Sequence, residues 1–250
     1  MNSILLYDKG EKYMNNNSEF LKYERPSVTA DVVLLRTIDI ENENNRKRNE
    51  KKLQVKLYKR KSEPFNDKWS LPGGSVSIDE TIEDVAKRKV LEKVGYDNIF
   101  LEQLYTFDNI NRDSRWRVIS TAYIGIVNNN SVLSKSSDFE SMWFTIDGDK
   151  LISHTGNTVL MATDLAFDHF EIINRAIERI RNKIFYTDFA FNFLEETFTL
   201  RDLQNVFETI LGHNIDNFRR TMIDRVVSTE KSVQGKAYRP AELFKKKENF

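Results

Sequence analysis

No cysteine occurs anywhere in the chain, which excludes disulfides, cysteine nucleophiles and cysteine-ligated zinc and fits an intracellular protein. Histidine is nearly as scarce. His154, His169 and His213 are scattered, and none sits in an H-E-x-x-H arrangement, so a helical zinc site has no basis. Long hydrophobic runs are missing as well. No apolar stretch approaches the ~20 residues that cross a bilayer, and the opening MNSILLY turns polar too soon for a secretory signal. The expectation is a soluble, cytoplasmic protein with no membrane partner. Neither sign of charge prevails: 38 Lys and Arg face 38 Asp and Glu. This balance excludes a uniformly basic nucleic-acid binder and leaves local asymmetry to examine.

What is present is enough to build real cores, because 250 residues carry 40% hydrophobic side chains. Length alone allows one long domain or two. Residues 1 to 25, with MNNNSEF, have little periodicity and read as an N-terminal extension. From Pro26 the pattern changes. VTADVVLLRTI and LQVKLYKR predict two strands, and the charged DIENENNRKRNEKK between them predicts a long solvated loop. After WSLPGG, the Ser77-x-x-Glu80 pair makes a capping-box pattern for a helix from about Asp79 to Val94, which Gly95 can terminate. FLEQLYTF, RVISTAYIGIV and MWFTI read as further strands. Asp168-x-x-Glu171 suits the start of another helix, on which Ile173, Ile177, Ile180 and Ile184 recur on one face. This closes a first unit, about residues 26 to 184.

Residues 185 to 250 read differently. Thr199 caps a helix whose stripe is Leu203, Val206, Phe207, Ile210 and Leu211, and Gly212 ends it. After the turn HNID, a second helix, NFRRTMIDRV, starts near Asp216 as cap. Beyond it VVSTEKSVQGKAYRPAELFKKK predicts two short strands around a basic hairpin. Helix, turn, helix, hairpin is the order of a winged helix-turn-helix. In that geometry Asn217, Arg219, Arg220 and Thr221 would meet DNA from the second helix, and Lys236 and Arg239 from the wing; otherwise NFRR is the exposed face of a small helix.

Gly74, Glu80, Arg88, Glu92, Gly95 and Tyr96 fall in the register of the box of the Nudix hydrolases, and the stretch resembles that family. The resemblance implies an α/β/α sandwich with a mixed sheet. It also implies Mg²⁺ or Mn²⁺ held by three box carboxylates at positions matching 89, 92 and 93, which lie on one helix face. Here Lys89 and Lys93 stand at two of them and only Glu92 remains. Metal binding and hydrolysis are therefore expected to be lost, while a lysine paired with Glu92 leaves a pocket that suits an anionic diphosphate. Glu80 and Arg88 match positions that look structural. Glu83 reads as a solvated first-turn acid and Glu140 as a rim residue, although either could donate to a metal from nearby.

A degenerate box followed by a winged helix is similar to the Nudix-related transcriptional regulators, as are KRKSEPFNDKWSLPGG, NRDSRWRVISTAYIGIV, LAFDHFEIINRAIERI, FTLRDLQNVFETILG, NFRRTMID and GKAYRPAELFK, in that order. That resemblance implies a homodimeric repressor that binds a palindromic operator in duplex DNA and senses ADP-ribose or a related nucleotide, without a cofactor. The alternative is an active hydrolase of ADP-ribose or another nucleoside diphosphate derivative. For the ligand, Arg60, Lys68 and Trp69 with Gly73 and Gly74 could grip a pyrophosphate and stack a ring, or be loop cations and a core Trp. Arg112, Asp113 and Arg115 could read a ribose diphosphate or shape the loop; Asp168 and His169 read more simply as a helix cap and a structural histidine.

Overall fold

The computed structural model describes residues 22–40, 50–128, 131–134, 137–233 and 241–248. β1 (Ser27–Ile40) and β2 (Glu50–Lys59) pair antiparallel, followed by the short β3 (Trp69–Ser70) and β4 (Gly73–Ser75). Helix α1 (Ile82–Val94) leads to β5 (Tyr96–Asp97), β6 (Phe100–Phe107), β7 (Val118–Ile126) and β8 (Val132–Leu133). β9 (Ser141–Asp147), β10 (Lys150–Ser153) and β11 (Val159–Leu160) come next, and then α2 (His169–Lys183). The main sheet runs β11-β10-β9-β2-β1-β7-β6, with β3 beside β2 and β4 beside β1; β1 and β7 are parallel, so the sheet is mixed.

β1 lies at the centre and is buried on both faces, which is why it reads as an almost unbroken apolar run. Ala30, Val32 and Leu34 meet Val85, Ala86, Val90 and Val94 of α1 on one side. Val33 and Leu35 meet the other core, which includes Ile172, Ile173 and Ile180 of α2. The expected face Ile173, Ile177, Ile180 and Ile184 is buried throughout. Two helix starts differ from the sequence reading. The capping box of α1 is Thr81 with Asp84, not Ser77 with Glu80, so the helix starts at Ile82. Glu80 still accepts the Ser77 N–H at 3.4 Å, but its carboxylate is held mainly by Arg88, in two bonds of 2.6 and 2.7 Å, while Thr81 and Asp84 complete the reciprocal box at the helix start. Asp168 stands at the N-cap of α2 but makes no cap bond, because its carboxylate accepts both arms of Arg112 at 2.9 and 2.7 Å.

A 3₁₀ turn, Phe189–Phe193, leads to α3 (Leu200–Leu211), α4 (Phe218–Met222) and the hairpin of β12 (Val226–Ser232) and β13 (Glu242–Lys246). Thr199 and Gly212 cap α3 as expected, and Leu203, Val206, Phe207 and Ile210 are fully buried; Leu211 is only partly so. The second helix is much shorter than NFRRTMIDRV. Asn217, at a left-handed φ of 55°, precedes it in place of an Asp216 cap. Phe218 and Met222 plug into the core, and a 3₁₀ turn then delivers the chain to β12. The core of this unit is continuous with the α2 side of the sheet: Leu53, Ile180, Ile184, Phe189, Phe191 and Phe207 belong to one cluster. Arg225 fastens the junction, donating to the carbonyls of Phe185 and Thr187 at 3.0 and 2.6 Å and pairing with Asp188 at 2.8 Å. Among the described residues no helix is long and apolar enough to cross a membrane.

Candidate ligand site and nucleic-acid face

The turn between β3 and β4 presses against β1. A Cβ at Gly73 would run into the Ala30 carbonyl and the Asp31 carboxylate, and one at Gly74 would overlap the Lys89 side chain. Lys89 therefore lies across the glycine turn with its stem packed and its ammonium 2.6 Å from Glu92 Oε2. That bond, with burial opposing it and the charges of Lys89, Lys93 and Arg88 assisting, holds the Glu92 carboxyl below its usual range. Lys93 points into an aromatic corner, its ammonium 3.6 Å from the Phe139 ring centre and 5.1 Å from that of Tyr58. Burial, then the neighbouring charge of Lys89, depresses the Lys93 ammonium.

Mg²⁺ demands a shell of oxygen donors. This helix face offers one carboxylate, already ion-paired, and two ammonium groups, so the donor set does not fit the ion. Glu83 pairs with Lys87 at 2.6 Å and Glu140 lies 3.8 Å from Lys59, each held by a cation of its own. Among the described residues no group of three or more Asp, Glu and His side chains could hold a metal.

Beside the turn is a cavity of about 120 Å³ lined by Thr29, Asp31, Tyr58, Arg60, Ser70, Gly73, Gly74, Arg112, Asp113, Arg115, Phe167 and His169, among others. Its walls are a connected polar network. Arg112, only 4% exposed, binds Asp168 and reaches Asp31 at 3.4 Å. Asp31 also accepts from Ser120 Oγ at 2.6 Å and faces His169 Nε2 at 3.7 Å. His169 Nδ1 accepts the Leu71 N–H at 3.0 Å, which leaves the ring proton on Nε2, and burial holds the imidazole below its ordinary pKa and hence neutral. The network is closed on itself, whereas Arg60 and Arg115 stand at the rim. Arg60 lies 5.0 Å from the Phe167 ring, and Arg115, 59% exposed, is braced by Asp113 at 3.0 and 2.8 Å.

Thus the structure brings Arg60, Gly73, Gly74, Arg112, Asp113, Arg115 and His169 to one cavity. Trp69 does not share it: the indole is buried edge-on against Phe144, with centroids 4.9 Å apart, so it meets the core rather than a ligand ring. Lys68 turns aside to the Thr163 carbonyl at 2.7 Å. Asp31, Tyr58 and Phe139 were missed by the sequence reading, though a lone acid inside VTADVVLL was a usable signal. A larger groove of about 730 Å³ runs along α2, but its walls include Asp108, Asp168, Glu171 and Glu178, an acidic lining unsuited to an anion.

On the winged helix, Phe218 and Met222 are buried, so Arg219, Arg220 and Thr221 face outward together, with Asn217 exposed at the helix start. Glu208 and Gln204 brace the turn before it, bonding the Ile215 amide and carbonyl at 3.1 Å each. Lys236 and Arg239 lie outside the described residues.

Two family models match the chain: a NUDIX domain over residues 42–151 and the NrtR DNA-binding winged helix domain over residues 190–245. The chain is 33% identical over 231 residues to the ADPR responsive transcriptional repressor NtrR of Acinetobacter baylyi, covering 89% of this chain and 83% of that protein. An ADP-ribose pyrophosphatase of Methanocaldococcus jannaschii is 30% identical over 124 residues, 50% of this chain and 66% of the relative. Among solved structures, a MutT/nudix family protein from Enterococcus faecalis superposes with a TM-score of 0.70 at 28% identity, over 94% of this chain and 95% of that one. NrtR of Shewanella oneidensis, complexed with a 27mer DNA, superposes with a TM-score of 0.65 at 29% identity, over 88% and 93% of the two chains. With a Nudix sheet whose metal face carries lysines and a winged helix built on the same core, the chain belongs to the NrtR family of Nudix-related transcriptional regulators.

Proposed function

We propose that the protein is a ligand-responsive transcriptional repressor that binds operator DNA through its winged helix and senses ADP-ribose or a related nucleotide in its Nudix unit. The observation that carries this reading is the Lys89–Glu92 pair with Lys93 beside it: positive charge stands where a hydrolase keeps the carboxylates for its metal. An anionic diphosphate then needs no divalent cation to be neutralised. Arg60, which donates to the Pro64 carbonyl at 2.9 Å, and Arg115, which is paired with Asp113, are the guanidinium groups at the cavity rim that would meet it, while Gly73 and Gly74 let backbone approach closely. Arg112 and Asp113 hold the wall in place. Residues 26 to 184 form the sensing unit and 185 to 250 the DNA-binding unit. The protein acts as a cytoplasmic homodimer, so that two copies of α4, with Arg219, Arg220 and Thr221, enter successive major grooves of a palindrome while Lys236 and Arg239 contact the backbone from the wing.

The test is titration of a fluorescent operator duplex from the DNA upstream of the protein's own or a neighbouring gene, with and without ADP-ribose. A shift in DNA affinity is expected, and DNA must shift ADP-ribose affinity by the same factor. Equal DNA affinity in the presence of ADP-ribose, NAD and ADP would remove the sensor from this reading. Absence of duplex binding would remove the regulator.

A further inference from the structure

The structure gives each deeply buried cation among the described residues a carboxylate. Arg112, Lys183 and Arg225, with side chains 4%, 8% and 6% exposed, pair with Asp168, Glu102 and Asp188. Arg36 and Lys56 are only partly buried. They are diagonal neighbours on adjacent strands, since β1 and β2 pair Leu34 with Lys56 and Arg36 with Gln54, and so they share the α1 face of the sheet. Both crowd one indole: the Arg36 guanidinium lies 4.2 Å and the Lys56 ammonium 5.5 Å from the Trp143 ring centre.

The floor beneath them is fixed. Gln54 is fully buried, donates its amide to Thr145 Oγ1 at 3.1 Å and accepts Arg36 Nε at 3.0 Å. That bond uses one guanidinium nitrogen, and no ion pair joins Arg36 or Lys56 to a carboxylate among the described residues. Burial and the adjacent Arg36 charge together bring Lys56 down to about 8, and burial lowers Arg36 as well. Two like charges held side by side, half out of water, repel one another. An anion bound between them would turn that repulsion into attraction.

We propose that Arg36 and Lys56, seated on Trp143 and Gln54, form an oxyanion site for a single phosphate group, distinct from the cavity at the glycine turn. Because Trp143 is buried beneath the cations, the ligand meets charge and no ring, so the recognised unit is the phosphate itself, free or at the end of a small nucleotide. Two residues along β2 on the same face, Tyr58 carries the Lys93 ammonium of the box helix 5.1 Å from its ring centre.

The test reads Lys56 directly. The full chain is treated with an amine-reactive acylating reagent near pH 8, and modification of each lysine is followed by peptide mass spectrometry in chloride and in inorganic phosphate of equal ionic strength. Phosphate at about 10 mM is expected to slow Lys56 acylation roughly threefold or more, without slowing exposed Lys231, by bonding the ammonium and raising its pKa. Arg36→Gln should abolish this protection, whereas Lys93→Gln should keep it. AMP protecting at lower concentration than phosphate would name a nucleotide terminus as the source, and equal protection would name free phosphate. The proposal is overturned by unchanged Lys56 reactivity in phosphate, by equal slowing of all lysines, or by loss of protection in Lys93→Gln, which would place the anion at the box helix. Protection by a short duplex exceeding that by AMP at matched phosphate would make the patch a nucleic-acid surface instead. None of these readings depends on ADP-ribose binding.

Discussion

Arg112→Met is expected to be among the most costly single changes in the chain outside the apolar core. The guanidinium is 4% exposed and serves two carboxylates that are themselves nearly sealed from water, Asp31 at 9% and Asp168 at 14%. Methionine fills similar volume but supplies no proton donor, so two charge-assisted bonds to Asp168 and the longer contact to Asp31 vanish together. Removing one partner of a buried ion pair costs roughly 3 to 5 kcal/mol, because the orphaned charge remains desolvated. With a urea slope of about 3 kcal/mol/M, that is a fall of about 1 to 1.7 M in the midpoint of unfolding. Asp168→Asn leaves Arg112 with Asp31 and one bond to the amide oxygen, and should cost about 1 to 3 kcal/mol. The double variant should lose less than the sum of the singles by about 1 to 3 kcal/mol. Urea unfolding followed by tryptophan fluorescence measures all three. A midpoint within 0.3 M of wild type for Arg112→Met, roughly 1 kcal/mol at that slope, or strict additivity in the cycle, would refute the view that this network anchors α2 to the sheet.

Phe207→Ala, deep in the shared core, should cost about 3 to 5 kcal/mol and lower the unfolding midpoints of both units together, as probed by hydrogen exchange in β2 and in α3. Two separate transitions would contradict a continuous core. Lys89→Met should raise the Glu92 pKa toward the usual carboxylate range, as read from carboxyl NMR titration. Since the wild-type folded pKa is depressed, the stabilisation from this pair is present above the unfolded pKa and is lost as pH falls through the folded one. The variant should therefore lack that loss on the acid side. Arg219→Ala or Arg220→Ala should weaken operator binding by about 1 to 3 kcal/mol if the side chain reads a base, whereas Lys236→Ala should weaken all duplexes alike and reduce the salt slope by about 1. Comparing operator with scrambled duplex over a salt series separates the two.

Much of this was legible from local chemistry. The glycine turn, the Gly95 and Gly212 stops, the Thr199 cap and the isoleucine face of α2 each follow from short-range rules that the tertiary structure does not override. The start of α1 was not, because two capping patterns, Ser77 with Glu80 and Thr81 with Asp84, overlap within eight residues and the second closes the helix. Nor was Asp168: a good cap residue was taken by Arg112, 56 positions away in sequence. The strands β5, β8, β10 and β11 have two to four residues each, too few to display a period. The site divides in the same way. Lys89 and Lys93 announce their departure against the box register that the resemblance supplies, whereas the ring of Phe139 under Lys93 and the burial of Trp69 depend on strands folding over one another. The aromatic run at residues 189 to 193 forms only a short 3₁₀ turn with no strand or helix period to mark it, yet it merges the cores of the two units.

The central claim is that fixed lysine charge replaces a divalent cation in this Nudix pocket, and calorimetric titration of ADP-ribose into the full chain, in EDTA and then in Mg²⁺, tests it most directly. The account expects binding of equal affinity in both, weakened in Lys93→Gln, with no AMP or ribose phosphate formed. Binding that requires Mg²⁺, or turnover on the order of 1 per second that Glu92→Gln abolishes, would contradict it.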